Sequence, residues 1–146
     1  MARYEATVPS VRTQQDTFDY LSRFSNTEDW DPSAERGRDL QDGGPVAVGS
    51  RFELDFKIAG RVTELTYEVT QYERPEKVRL FCDAGWFTSD DTIEVAPDGD
   101  GSAVTYTAIV KMKGPLGLFD PIMQLGFNRA GKQAAEGLRE TLTRRR

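Results

Sequence analysis

The sequence predicts an α+β fold in one domain, residues 1–146: a curved antiparallel sheet of about six or seven strands wrapped around a long C-terminal helix, with short helices after the first strand. Three observations carry this. Apolar residues alternate with polar ones through most of the middle of the chain, the turns between these alternating runs are only a few residues long, and the last proline opens a long stretch of helical period. Short turns between strands make an antiparallel meander with one buried face.

Residues 3–8 read as a first strand. Beyond Pro9, Thr13 is placed to cap a helix whose third position is Asp16, and Phe18, Leu21 and Phe24 then recur on one face as far as about Ser25 and Asn26. Trp30 follows in an acidic loop with Glu28, Asp29 and Asp31, where Pro32 stops any further helix. Its acids are expected in water and Trp30 turned inward, either as a plug of the core or against a guest molecule. Residues 35–40 suit an edge strand, and 42–45 a glycine-rich loop.

The clearest strand is 50–58, where Phe52, Leu54, Phe56 and Ile58 alternate with Arg51, Glu53, Asp55 and Lys57. Residues 61–72, 77–83, 87–95 and 102–112 continue the meander. Gly114 and Pro115 break the last strand, Asp120 and Pro121 supply an N-cap and a proline at the first helical position, and the helix runs over 121–143. One arc of it holds Met123, Phe127, Leu138 and Leu142, whereas Leu125 falls on the polar side. Gly126, Gly131 and Gly137 within it cost about 1 kcal/mol each relative to alanine. Close packing on the sheet explains them, and so does room for a guest.

Composition narrows the chemistry. There is no histidine, and Cys82 is the sole cysteine, so an intrachain disulfide is impossible and metal, Ser-His-Asp and Cys-His chemistry are disfavoured. No cofactor is expected. No run of about 18 apolar residues occurs and the N-terminus lacks a signal pattern, so a cytoplasmic protein without an integral membrane segment is expected. The net charge is −5, and the basic end containing Arg144, Arg145 and Arg146 suits a helix C-terminus; it lacks the interleaved aromatics of a nucleic-acid patch, so no nucleic-acid partner is expected.

In this order of elements, FDYLSRFSNTEDWD (18–31), VGSRF (48–52), DTIEV (91–95), GSAVTY (101–106) and GPLGLFD (114–120) resemble the polyketide cyclase/dehydrase and lipid-transport branch of the START-like, or SRPBCC, superfamily. The resemblance implies the helix-grip fold and a deep, largely apolar cavity between sheet and C-terminal helix. Such a cavity holds lipids, polyketides or aromatic molecules, and the expected partner is a hydrophobic small molecule. Candidate lining residues are Trp30, Phe52, Leu54, Phe56, Tyr67, Leu80, Phe87, Tyr106, Met123 and Phe127.

Asp91 is the candidate catalytic residue. If Ile93 and Val95 face inward, period 2 turns Asp91, Ser89 and Phe87 inward as well, and an apolar interior raises a carboxyl pKa toward the range of a general acid or base. A place near the strand end, an arginine partner or a bulge at Gly85-Trp86 would instead make it structural. Tyr67 and Tyr106 either orient a ligand carbonyl or bond nearby backbone, and Cys82 reads as a small buried hydrophobe. Leu116, Leu118 and Phe119 form either a lid or a corner of the core.

Three functions suit these features: a carrier or binder of a hydrophobic molecule, a cofactor-independent cyclase or dehydratase using Asp91 with Tyr67 or Tyr106, and a protein-interaction module presenting Trp30 and residues 116–119.

Overall fold

The structure is a computed structural model that describes residues 1–58, 60–115 and 120–144, and the side chains of all of these except 120–123. Its strands are β1 (Ala2–Ser10), β2 (Ala34–Asp39), β3 (Arg51–Ile58), β4 (Arg61–Glu73), β5 (Lys77–Asp83), β6 (Phe87–Asp98) and β7 (Gly101–Met112). Helix α1 (Gln14–Ser22), a 3-10 segment (Phe24–Asp29) and helix α2 (Asp120–Thr143) complete the fold.

The seven strands form one antiparallel sheet in the order β1-β7-β6-β5-β4-β3-β2. Because β1 pairs with β7 and not with β2, the chain between them must travel from one edge of the sheet to the other. Helix α1 and the 3-10 segment make that crossing and close one end of the concave face. Register shifts at Ala34/Arg36 in β2 and Val69/Gln71 in β4 add local twist, which helps the sheet curl.

Local chemistry accounts for the crossing. Thr13 Oγ1 accepts the Asp16 amide at 3.1 Å, capping α1. Phe18, Leu21 and Phe24 are then buried against the sheet. The helix ends earlier than its apolar spacing suggests: after Ser22 the chain tightens into the 3-10 segment, so Phe24 keeps its inward place while Trp30 follows directly on that segment. A buried hydroxyl chain fastens α1 to the sheet, with Ser10 Oγ 2.8 Å from Thr17 Oγ1 and Thr17 Oγ1 3.0 Å from Ser102 Oγ.

Helix α2 lies along β1, which would otherwise be an open sheet edge. Gln124 serves as a ladder rung there: its Oε1 accepts the Arg3 amide at 2.8 Å and its Nε2 donates to the Arg3 carbonyl at 2.9 Å. At the far end the Val11 amide donates to the Leu142 carbonyl at 2.9 Å. Leu138 and Leu142 are buried, whereas Leu125 is 74% exposed on the polar side.

The helical glycines now separate. A Cβ at Gly137 would lie 2.0 Å from the Trp30 carbonyl oxygen, and one at Gly131 would lie 2.5 Å from the Tyr4 ring. Close approach explains both, with the Trp30 loop and β1 as the partners. Gly126 faces open space, with nothing within 4 Å of such a Cβ.

This difference predicts opposite effects of one methyl group. Gly137→Ala should destabilise the protein by about 1–3 kcal/mol through overpacking, while Gly126→Ala should stabilise it by up to about 1 kcal/mol through helix propensity. Urea denaturation of the two variants measures this, and equal effects at both positions would contradict the contact.

Candidate functional site

Strand β6 turns Phe87, Ser89, Asp91, Ile93 and Val95 inward, all of them buried. No register shift interrupts its pairing with β5 or β7, so Gly85 and Trp86 do not reset the alternation. Asp91 lies in the interior of the strand, opposite Leu80 of β5 and Ala108 of β7, and is 5% exposed. Ser89 Oγ donates to its Oδ1 at 2.8 Å and the Tyr106 hydroxyl donates to its Oδ2 in a short hydrogen bond. Ser89 also stands against the phenol of Tyr67, so hydroxyls from β4, β6 and β7 converge around one carboxyl.

Burial pushes the Asp91 carboxyl up to about 6, against the opposing pull of the Tyr106 and Ser89 hydrogen bonds. Burial, reinforced by the charge of Asp91, likewise raises Tyr67 and Tyr106 well above the ordinary phenol value, so both remain donors at neutral pH. Cys82, buried on the same face, is pushed up to about 11 by burial and then by Asp91, which keeps its thiol unreactive.

Trp30 is 6% exposed, and its ring meets the edge of Tyr106 with centroids 5.6 Å apart and planes at 71°. It therefore seats inside the grip as a wall of the Asp91–Tyr106 site, and it contributes no exposed apolar patch for a protein partner. Its outer side borders a surface depression of about 220 Å³ between the loop of Glu28 to Pro32 and the Gly137 to Arg144 end of α2. Asp31, expected to face water, is half-buried; its Oδ1 accepts the Ser33 amide at 2.9 Å and the Ser33 hydroxyl at 2.7 Å. Burial raises its carboxyl, and its charge acts on Asp91, Tyr67 and Tyr106.

The other candidate residues divide by depth. Phe52, Leu54 and Leu80 have no exposed surface and belong to the filled core. Their inward orientation is as expected. Tyr67 packs between Phe24 and Phe56, with centroid distances of 4.9 and 6.4 Å. Phe87 is buried beside Trp86 with centroids 4.5 Å apart, and Phe127 is half-buried on α2. The Met123 side chain and residues 116–119 lie outside the described residues.

On β3 and β7 the exposure of the inner face rises away from α1, whereas Phe87 of β6 and Cys82 of β5 stay buried at the far end. Phe56 and Ile58 on β3, and Tyr106, Ala108, Val110 and Met112 on β7, are half-buried, while the positions nearer α1 are sealed. The interior is thus closed at the α1 end, and the Asp91–Tyr106 pair lies between that end and the half-buried residues of β3 and β7. Among the described residues no group of three or more acidic, cysteine or histidine side chains is placed to hold a metal ion, and no helix is long and apolar enough to cross a membrane.

The raised Asp91 carboxyl has a signed consequence for stability. The folded state holds the proton to about pH 6, whereas the unfolded chain releases it near the model-peptide value of about 3.9. Stability is therefore full below about pH 4 and is lost as pH rises through 6, by about 3 kcal/mol for a shift of this size. Urea denaturation of the wild type and Asp91→Asn at pH 4 and pH 7 should show the difference between them move by about that amount in favour of the variant. A pH-independent difference would contradict the burial.

The sequence matches the polyketide cyclase/dehydrase and lipid transport family over residues 1–143. A search of curated proteins finds no match. Among solved structures, the chain is similar to a START superfamily protein from Mycobacterium smegmatis, at 18% identity over 97% of each chain with a TM-score of 0.78. It is similar also to TTHA0849 from Thermus thermophilus, at 17% identity over 97% of this chain and 95% of that one, TM-score 0.73. Protein CV1439 from Chromobacterium violaceum has 14% identity over 98% of each chain, TM-score 0.69. At these identities the structural likeness is one of fold. With a curled seven-stranded sheet, a C-terminal helix packed along β1 and a sequence match over nearly its whole length, the chain belongs to the polyketide cyclase/dehydrase and lipid transport family and has its START-like, helix-grip fold.

Proposed function

We propose that the protein binds a hydrophobic small molecule, of lipid, polyketide or aromatic type, in the interior between the sheet and α2, and acts as its carrier. The observation that carries this reading is a single buried polar cluster, Asp91 with Tyr106, Ser89 and Tyr67, set in a mostly apolar inner face whose residues Phe56, Ile58, Val110 and Met112 keep part of their surface. Apolar walls with a few convergent polar groups are the usual make-up of a small-molecule site, since the walls supply affinity and the polar groups fix orientation. Tyr67, Tyr106, Trp30, Phe56 and Phe127 are the residues placed to touch the guest.

A second reading, a cofactor-independent cyclase or dehydratase, is favoured by the carboxyl of Asp91 standing near 6 with a phenol bonded to it. A group poised there takes up and returns a proton at neutral pH, and the apolar walls would hold a flexible substrate in a reactive conformation.

Native mass spectrometry of the purified protein is expected to show a bound hydrophobic compound that denaturation releases. Trp30 emission should shift when an apolar ligand is added. An unliganded mass together with a flat titration across lipid, polyketide and aromatic classes would sink the carrier reading. In the enzyme reading Asp91→Asn abolishes turnover and leaves affinity within about tenfold, or about 1.4 kcal/mol. Unchanged turnover removes Asp91 from the chemistry.

A further inference from the structure

Among the described residues, the charges that act on the interior carboxyl have one sign. Asp91 is bonded by two neutral hydroxyls, those of Tyr106 and Ser89, and the other charges acting on it are those of Asp90 and Asp31, both like its own. From the surrounding elements it is faced by Tyr106 of β7, Tyr67 of β4, Cys82 of β5 and Asp31 of the loop after the 3-10 segment; none supplies a positive charge.

Cations are directed elsewhere. Of the inward positions of β3 to β7, only Arg61, at the exposed start of β4, is basic. Arg23 is paired with Asp39 and the Gly44 carbonyl, Arg12 stands over the Tyr20 ring, and Arg79 pairs with Asp90 on the outer face. The described basic side chains of α2 (Arg129, Lys132 and Arg139) and Arg144 just beyond it are exposed.

A buried carboxylate without a counter-charge is costly, and a guest that brings the missing charge recovers part of that cost on binding. A guest with its own carboxylate adds a third like charge to Asp91 and Asp31. We infer that the molecule bound here is a hydrophobic amine, its apolar body against Phe56, Trp30 and Phe127 and its protonated nitrogen at Asp91 and Tyr106, with Asp31 adding long-range attraction. This rests on the proposal that the interior takes a hydrophobic guest, and it names the headgroup that the interior selects.

The test is a matched series on one ring system: 2-naphthylmethylamine, 2-naphthalenemethanol and 2-naphthaleneacetate (the carboxylate), titrated calorimetrically into the full chain. The amine should bind about tenfold or more tighter than the alcohol at pH 7.5, and the acetate more weakly than either. Because the amine stays protonated over this range while Asp91 takes up a proton and loses its charge, the amine's affinity should fall by about fivefold or more from pH 7.5 to pH 5, with the alcohol's unchanged. Asp91→Asn should remove both the preference and its pH dependence while the alcohol still binds. The wild-type pH series stands independently of whether that variant folds. Equal affinity for amine and alcohol, or tighter binding of the acetate, overturns the choice of headgroup and leaves the cavity reading intact. Binding of none of the three overturns both.

Discussion

The concave face of the sheet must be covered, and its one long helix lies to one side of it, along β1. That asymmetry organises the rest. Leu138 and Leu142 seal the half of the interior that α1 also closes, together with Phe18, Leu21 and Phe24. Toward the other end the inward residues of β3 and β7 keep part of their surface. The position of α2 depends in turn on two absent side chains, at Gly131 over Tyr4 and Gly137 against the Trp30 carbonyl. A helix free of them would lose less in propensity but would stand farther from the sheet and from the loop that carries Trp30.

Trp30 links this packing to the electrostatics. Held by α2 on its backbone side, it presents its ring to Tyr106, whose hydroxyl bonds Asp91. Burial is the leading reason that the carboxyl is raised to about 6. A packing contact at the helix and a protonation equilibrium on the sheet are joined through two aromatic rings. Asp31, one residue beyond Trp30, comes close enough to act on the same carboxyl for the same reason.

Much of this was legible in the residues themselves. Alternation placed Asp91 inward because β6 runs without a register shift from Phe87 onward, so period 2 holds through the position that matters. The same rule named Ser89, two residues away on the same face, although its bond to Asp91 became visible only with the side chains in place. Alternation reports direction and not depth, which is why Phe52, Leu54 and Leu80 looked equivalent to Phe56 and Tyr106. Their difference arises from α1 and the 3-10 segment covering one end, a long-range contact that no short window contains. Asp31 was out of reach for a related reason: the loop has no period, and its acids look alike until the 3-10 segment turns one of them toward the interior.

Among the described residues no cation partners the Asp91 carboxyl, which sits in the interior bonded to Tyr106 and Ser89. Carbon-detected NMR titration of the Asp91 side-chain carboxyl tests this most directly, since the chemical shift of that carbon reports its own protonation. The expected midpoint is near 6. A midpoint at or below about 4, the value of a solvated aspartate, would contradict it.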